Sequence, residues 1–289
     1  MTLLKKFSTY LSLIKFSHTI FAMPFAIIGF MLAVIYENRP FEIRLFIAVI
    51  LCMVFARSAA MAFNRYIDAR YDALNPRTAQ REIPSGIIKS SNALLFIALN
   101  CGLFVITTWF INPICFYLSP VALAVIMVYS YTKRFTALCH LVLGLGLSLA
   151  PVGAYLAVTG YFSYLPILFG SVVFTWVSGF DILYALQDED FDKAQNLYSI
   201  PAMLGRKKAM WVSILLHVCS AIIVLAIGFI GGFGLIYTAG ALIFIGLLIY
   251  QHWLVKPDDI SKVNMAFATT NGFAGLIYAA FSIISFYTV

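Results

Sequence analysis

Asn64, Asp68 and Asp72 recur at intervals of four residues, and Arg77 and Arg81 follow at the same interval. Residues four apart share a helix face, so one amide and two carboxylates form a stripe of hard oxygen ligands. Such a set suits Mg2+, which takes one or two carboxylates and completes its shell with water and substrate phosphate. The arginines suit the phosphate, because a guanidinium pairs with two of its oxygens at once. Further along, Asp181, Asp188 and Asp192 stand seven and then four residues apart. On a continuous helix these offsets return to within roughly 20° of one line. Tyr184 lies one turn after Asp181 on a neighbouring face. Lys133 and Arg134 can serve a diphosphate or act as simple inside-positive anchors. Arg65 and Arg70 point away from the first stripe, and Glu189 and Asp190 fall off the second line, so both acids are expected in solvent.

The elements that carry these residues are membrane helices. The chain is 62% hydrophobic and only 11% charged, with mean hydropathy +0.94; soluble domains carry about 25% charged residues. Runs long enough to cross a bilayer, about 20 residues, fall near 16–36, 43–63, 92–111, 113–131, 137–158, 164–186, 209–230, 233–250 and 265–288. Pro113 and the run Gly231-Gly232-Phe233-Gly234 mark tight turns between spans. Sixteen of the 19 Lys and Arg lie in the N-terminal tail and in the 64–91, 132–136, 187–208 and 251–264 loops. This bias sets the N-terminus inside and the C-terminus outside. Both acidic clusters then face the cytosol, each running from a helix end into one of the two long loops.

The basic tail with Lys5, Lys6 and Lys15 has no cleavable small-residue site and reads as retained. The net charge of +7 is a topology signal; no soluble basic face exists to hold nucleic acid. The five cysteines (Cys52, Cys101, Cys115, Cys139, Cys219) lie in or beside apolar segments as small buried hydrophobes. His18, His140 and His217 have no companion at metal-ligand spacing and read as hydrogen-bonded interior groups. The 16 Tyr and 26 Phe exceed what interfacial belts need, so many are expected inside, lining the cavity or filling space between helices.

Asn64, Asp68, Asp72, Arg77, Thr78, Arg81, Pro84, Ser85 and Gly86 match the first motif of the UbiA superfamily of intramembrane prenyltransferases, and Asp181, Tyr184, Ala185, Asp188 and Asp192 match its second. Tyr129, Lys133, Arg134 and Thr136 match an element of its 4-hydroxybenzoate branch. The chain therefore resembles that family over nearly its whole length. The resemblance implies one domain over 1–289, an all-α membrane protein with about nine helices around a central cavity, and a site facing the cytosol at the inner membrane. It implies Mg2+-dependent transfer of a polyprenyl group from polyprenyl diphosphate to an aromatic acid in quinone synthesis, with no obligate protein partner. In that reading Asn64, Asp68, Asp72, Asp188 and Asp192 hold the metal. Arg77, Arg81, Lys133 and Arg134 bind diphosphate, Asp181 and Tyr184 serve the chemistry, and a Phe-rich groove holds the tail. One segment departs from the family: Asn196-Leu197-Tyr198-Ser199-Ile200-Pro201 stands where ubiquinone-pathway members read Gly-x-Lys-Ser. It looks more like a subgroup that prenylates 1,4-dihydroxy-6-naphthoate on the futalosine route to menaquinone. The rival class is a secondary transporter, whose charged site would sit near the midplane within internal repeats; here the charge sits at helix ends.

Overall fold

The computed structural model describes residues 3–15 and 21–288. His18 and the start of the first expected span lie outside the described residues. Within them the chain is helical, with no β-strand. The helices are α1 (Leu3–Leu13), α2 (Met23–Met31, continued by a π-helical turn, Leu32–Tyr36), α3 (Ile43–Ile67), α4 (Ala69–Leu74), α5 (Ser90–Trp109), α6 (Pro113–Thr132) and α7 (Cys139–Thr159). Next come α8 (Tyr164–Ala185), a 3-10 turn (Leu186–Asp188), α9 (Glu189–Ala194), α10 (Ile200–Leu204), α11 (Arg206–Ile230) and α12 (Leu235–Leu254). A π-helical turn (Met265–Thr270) then leads into α13 (Asn271–Phe286). Eight of the described helices are long and apolar enough to cross a membrane, and Met23–Tyr36 is a shorter apolar helix.

The turns fall where the punctuating residues stand. The Asn112 side chain accepts the Cys115 N–H at 2.9 Å and Pro113 occupies the first turn of α6, a capping pattern that satisfies one of the first-turn donors and removes another. Gly232, at φ +67°, turns the chain between α11 and α12, a conformation that costs a residue without Cβ little.

Helices without an aqueous driving force between them associate by close packing at small residues. Gly29 of α2 lies so close to α7 that a Cβ there would overlap the Pro151 carbonyl. Trp176 on α8 is fully buried among Phe25, Phe180 and Phe244. Its Nε1 donates to Asn271 Oδ1 at 2.9 Å, and Gln251 Nε2 donates to the same oxygen at 2.7 Å. One buried amide thus ties α8, α12 and α13 together, and the pairing offsets the cost of desolvating those polar groups. Much of the aromatic surplus is spent in this core. The free ends of α3, α6 and α8, with the starts of α7 and α10, are left to carry the polar side chains.

Candidate active site

The stripe at the end of α3 survives a break in the helix. Ile67 is the last residue of α3 and Asp68 has φ −88° and ψ 3°. Yet Asp68 N–H still donates to Asn64 O (2.9 Å) and Asp72 N–H to Asp68 O (2.8 Å). The four-residue ladder continues, so the three side chains stay on one wall. Asn64 Nδ2 donates to Asp68 Oδ2 at 3.0 Å. Arg81 Nη1 lies 2.7 and 2.8 Å from the two Asp72 oxygens. Arg134 Nη2 reaches Asp68 Oδ1 at 3.1 Å and the Ile67 carbonyl at 2.8 Å. Burial pushes the Asp68 carboxyl up to about 6 against the pull of Arg134, and neighbouring Asp72 adds to the rise.

The second wall is not the single straight line that the spacing predicts. A 3-10 turn at Leu186–Asp188 separates α8 from α9, and each carboxylate meets a different partner. Arg77 Nη2 donates to Asp188 Oδ2 at 2.6 Å and Oδ1 at 2.8 Å, while its Nη1 donates to Tyr184 OH at 3.2 Å. Asn75 Nδ2 reaches Asp188 Oδ1 at 3.4 Å. Lys133 Nζ stands 2.7 Å from Asp192 Oδ1, and Asp192 is fully buried. Burial opposes charge on Arg77 and Lys133, but Asp188 and Asp192 outweigh it and raise both pKa values. The Tyr184 ring packs on Phe267, with centroids 4.2 Å apart; the π-helical turn carries Phe267 there. The basic partners come from two places: Arg77, from the 75–89 loop, holds Asp188, while the adjacent Lys133 and Arg134, just past α6, hold Asp192 and Asp68.

Glu189 corrects an expectation. It is 6% exposed and holds Lys193 at 2.6 Å and Arg206 at 3.1 Å. Arg206 begins α11, so its approach cannot be read from spacing within α9. Asp190 is exposed as expected. Arg65, which the spacing turns away from the stripe, is 5% exposed.

Two functional candidates were missed. Arg57 lies seven residues before Asn64, hence on the same α3 face, and lines a cavity with Tyr129. Its Nε has no hydrogen-bond partner among the described residues. A charged residue within a span signals function by default. His140 Nδ1 lies 2.7 Å from Asp181 Oδ2, a contact across 41 residues that no local spacing announces.

The cavity, about 360 Å³, runs between α3, α5, α6 and α7. On α6 it extends from Cys115 to Tyr129, about 21 Å at 1.5 Å per residue. Val121 lines it and is 58% exposed, so it reaches the lipid-facing surface. Its lining corrects the expected Phe-rich groove: Phe104 and Phe162 contribute, but Ala, Val, Leu, Ile and Met side chains predominate.

The donor set fits Mg2+ held jointly with a substrate. Asn64, Asp68, Asp72, Asp188 and Asp192 offer only hard oxygen donors, the type Mg2+ takes. Among the described residues no three His, Cys, Asp or Glu side chains are grouped so as to hold a metal ion; the carboxylates are paired instead with Arg77, Arg81, Lys133 and Arg134.

Residues 22–280 match the UbiA prenyltransferase family. The chain belongs to that family. It is therefore an integral membrane enzyme of the prenyltransferase class. A 4-hydroxybenzoate octaprenyltransferase of Aliivibrio fischeri strain MJ11 is 33% identical, the match covering 82% of each chain. One from Tolumonas auensis is 30% identical over 77% of this chain and 78% of its own. The apo structure of a UbiA homolog from Aeropyrum pernix K1 superposes with TM-score 0.78 at 29% identity, over 92% of this chain and 95% of its own. The fold is shared with a UbiA homolog from Archaeoglobus fulgidus bound to GPP and Mg2+, TM-score 0.72 at 20% identity, over 97% of this chain and all of its own.

Proposed function

We propose that the whole chain is one Mg2+-dependent polyprenyltransferase domain. It moves a polyprenyl group from its diphosphate to an aromatic acid in respiratory quinone synthesis, at the cytosolic face of the inner membrane. The reading rests on one arrangement above all: two carboxylate walls held by Arg77, Lys133 and Arg134 at the ends of helices, two of which, α3 and α6, also line an apolar cavity. The family, the 4-hydroxybenzoate octaprenyltransferase relatives and the Mg2+ in the Archaeoglobus fulgidus homolog support it. The inside-positive charge bias supports a cytosolic N-terminus and an outside C-terminus, with about nine spans.

Asn64, Asp68, Asp72, Asp188 and Asp192 would hold Mg2+, which when bound neutralises charge on the leaving diphosphate. Arg77, Arg81, Lys133 and Arg134 exchange their carboxylate partners for diphosphate oxygens and add donors to the departing group. The allylic C–O bond breaks and its electron pair leaves with the diphosphate. The tail lies in the apolar cavity, which keeps water from the cation, and the Tyr184 ring faces the reacting end. The acceptor ring forms the new C–C bond, and Asp181 takes the displaced ring proton as the ring regains aromaticity. Arg57 meets the acceptor's carboxylate, a partner its Nε otherwise lacks among the described residues.

The acceptor is 4-hydroxybenzoate or a related hydroxy-aromatic acid. A second reading, 1,4-dihydroxy-6-naphthoate, is favoured by the 196–201 segment: Asn196 takes φ +53° and keeps the turn, while Tyr198 removes the family's lysine. Purified protein with Mg2+ and polyprenyl diphosphate should prenylate one of the two acids when each is offered separately. Pyrophosphate-independent uptake of a solute into vesicles, with neither acid prenylated, would instead favour a transporter.

A further inference from the structure

His140 stands second in α7 and is 3% exposed. Its two ring nitrogens face different things. Nδ1 lies 2.7 Å from Asp181 Oδ2 on α8, and the Ile200 N–H donates to Nε2 at 3.4 Å from the start of α10. With Nε2 accepting, the ring proton sits on Nδ1 and is donated to the carboxylate. The Asp181 side chain stays 23% exposed while that of His140 is 4% exposed, so the buried histidine holds one carboxylate oxygen of a side chain that remains partly open.

Ile200 belongs to the segment that departs from the ubiquinone-pathway pattern. That segment is itself docked: Tyr198 N–H donates to the Lys133 carbonyl at 2.7 Å, and Cys139 Sγ lies 3.6 Å from the Tyr198 carbonyl. Ser199, fully buried, caps α10 by accepting the Ala202 N–H at 3.2 Å. The 196–201 turn, His140 and Asp181 form one chain of contacts, with the diphosphate-side residue Lys133 at its edge.

We propose that His140 is a positioning residue for the acceptor. It orients the Asp181 carboxylate and transmits the geometry of the 196–201 turn to it, so that the turn influences acceptor use without touching the ring. This rests on the reading of Asp181 as the acceptor-side carboxylate. A carboxylate free to rotate would meet the ring proton in the wrong geometry, and an error of about 1 Å costs up to about a hundredfold in rate.

The test compares H140N, H140L, D181N and the double variant H140L/D181N in membranes, with kinetics measured separately for acceptor and donor. Asparagine places an amide N–H near the Nδ1 position and keeps the bond to Asp181; leucine removes it. H140L should lower kcat/KM for the acceptor by about 10- to 100-fold and leave the donor KM within about twofold. H140N should stay within a few-fold of wild type, and the double variant should be no worse than D181N, because the two residues act as one unit. Wild-type acceptor kinetics in H140L, or losses that multiply in the double variant, would overturn the proposal. If H140L fails to insert, H140N decides: acceptor kinetics as poor as those of D181N would overturn it. Full activity in D181N would instead refute the role of Asp181, a different outcome from failure at His140 alone.

Discussion

Arg77 makes the crossing contact of the site, because it leaves the loop that follows the first acidic stripe and ends on Asp188 of the second. A guanidinium can hold both carboxylate oxygens, or later two phosphate oxygens, in one plane; an ammonium offers a point charge. Arg77→Lys should therefore raise the donor KM by about tenfold, with a smaller change in kcat, in initial-rate assays at saturating acceptor. A donor KM equal to that of wild type would remove Arg77 from diphosphate binding. At this scale the sequence was legible wherever chemistry followed period. Asn64, Asp68 and Asp72 were visible because helical spacing puts them together, and Asn196 because few residues adopt positive φ. His140 and Glu189 were not, because His140's carboxylate partner and Glu189's Arg206 come from other elements.

Helices place these residues by packing backbone against backbone. The crossing of α2 and α7 at Gly29 leaves no room for a methyl group, since the atom it would strike is the Pro151 carbonyl. Gly29→Ala should destabilise the protein by about 1–3 kcal/mol, read as a lower thermal midpoint in detergent. Gly102→Ala on α5, where an added Cβ meets nothing within 4 Å, should be neutral or slightly stabilising. Equal midpoints for the two variants would contradict that packing. Span positions were readable because a bilayer demands a long apolar run. The breaks at Asp68 and at Leu186–Asp188 were not, because the hydrogen-bond ladder runs through the first and only a tightened turn marks the second. The 187–208 loop hides two short helices; Ser199 followed by Ile200-Pro201 is the capping signal that announces α10.

Across the whole molecule, charge and aromatic content act at different levels. The basic loops predict a side for every connection. Single cysteines placed at Lys89, Lys193 and Lys256 in a cysteine-free background should react with an impermeant maleimide only from the cytosolic side. Cysteines at Asn38 and Phe162 should react only from the other. A reversed pattern would put the site on the opposite face. The aromatic count was legible but its destination was not: many rings stack around Trp176 and Tyr278, leaving the cavity mostly aliphatic. Packing partners in a core are set by three-dimensional neighbours, which composition does not specify.

The central claim is that the two walls together activate a prenyl diphosphate for an aromatic acceptor. Its most direct measurement is pyrophosphate released by purified protein given Mg2+, polyprenyl diphosphate and the acceptor, compared with Asp68→Ala and Asp188→Ala. Wild type should release pyrophosphate in step with prenylated product and stop when EDTA removes the metal. Each variant should insert normally and fall by at least about a hundredfold, the scale of losing a main electrostatic contact in a transition state. Turnover retained in both variants, or undiminished in EDTA, would contradict the account.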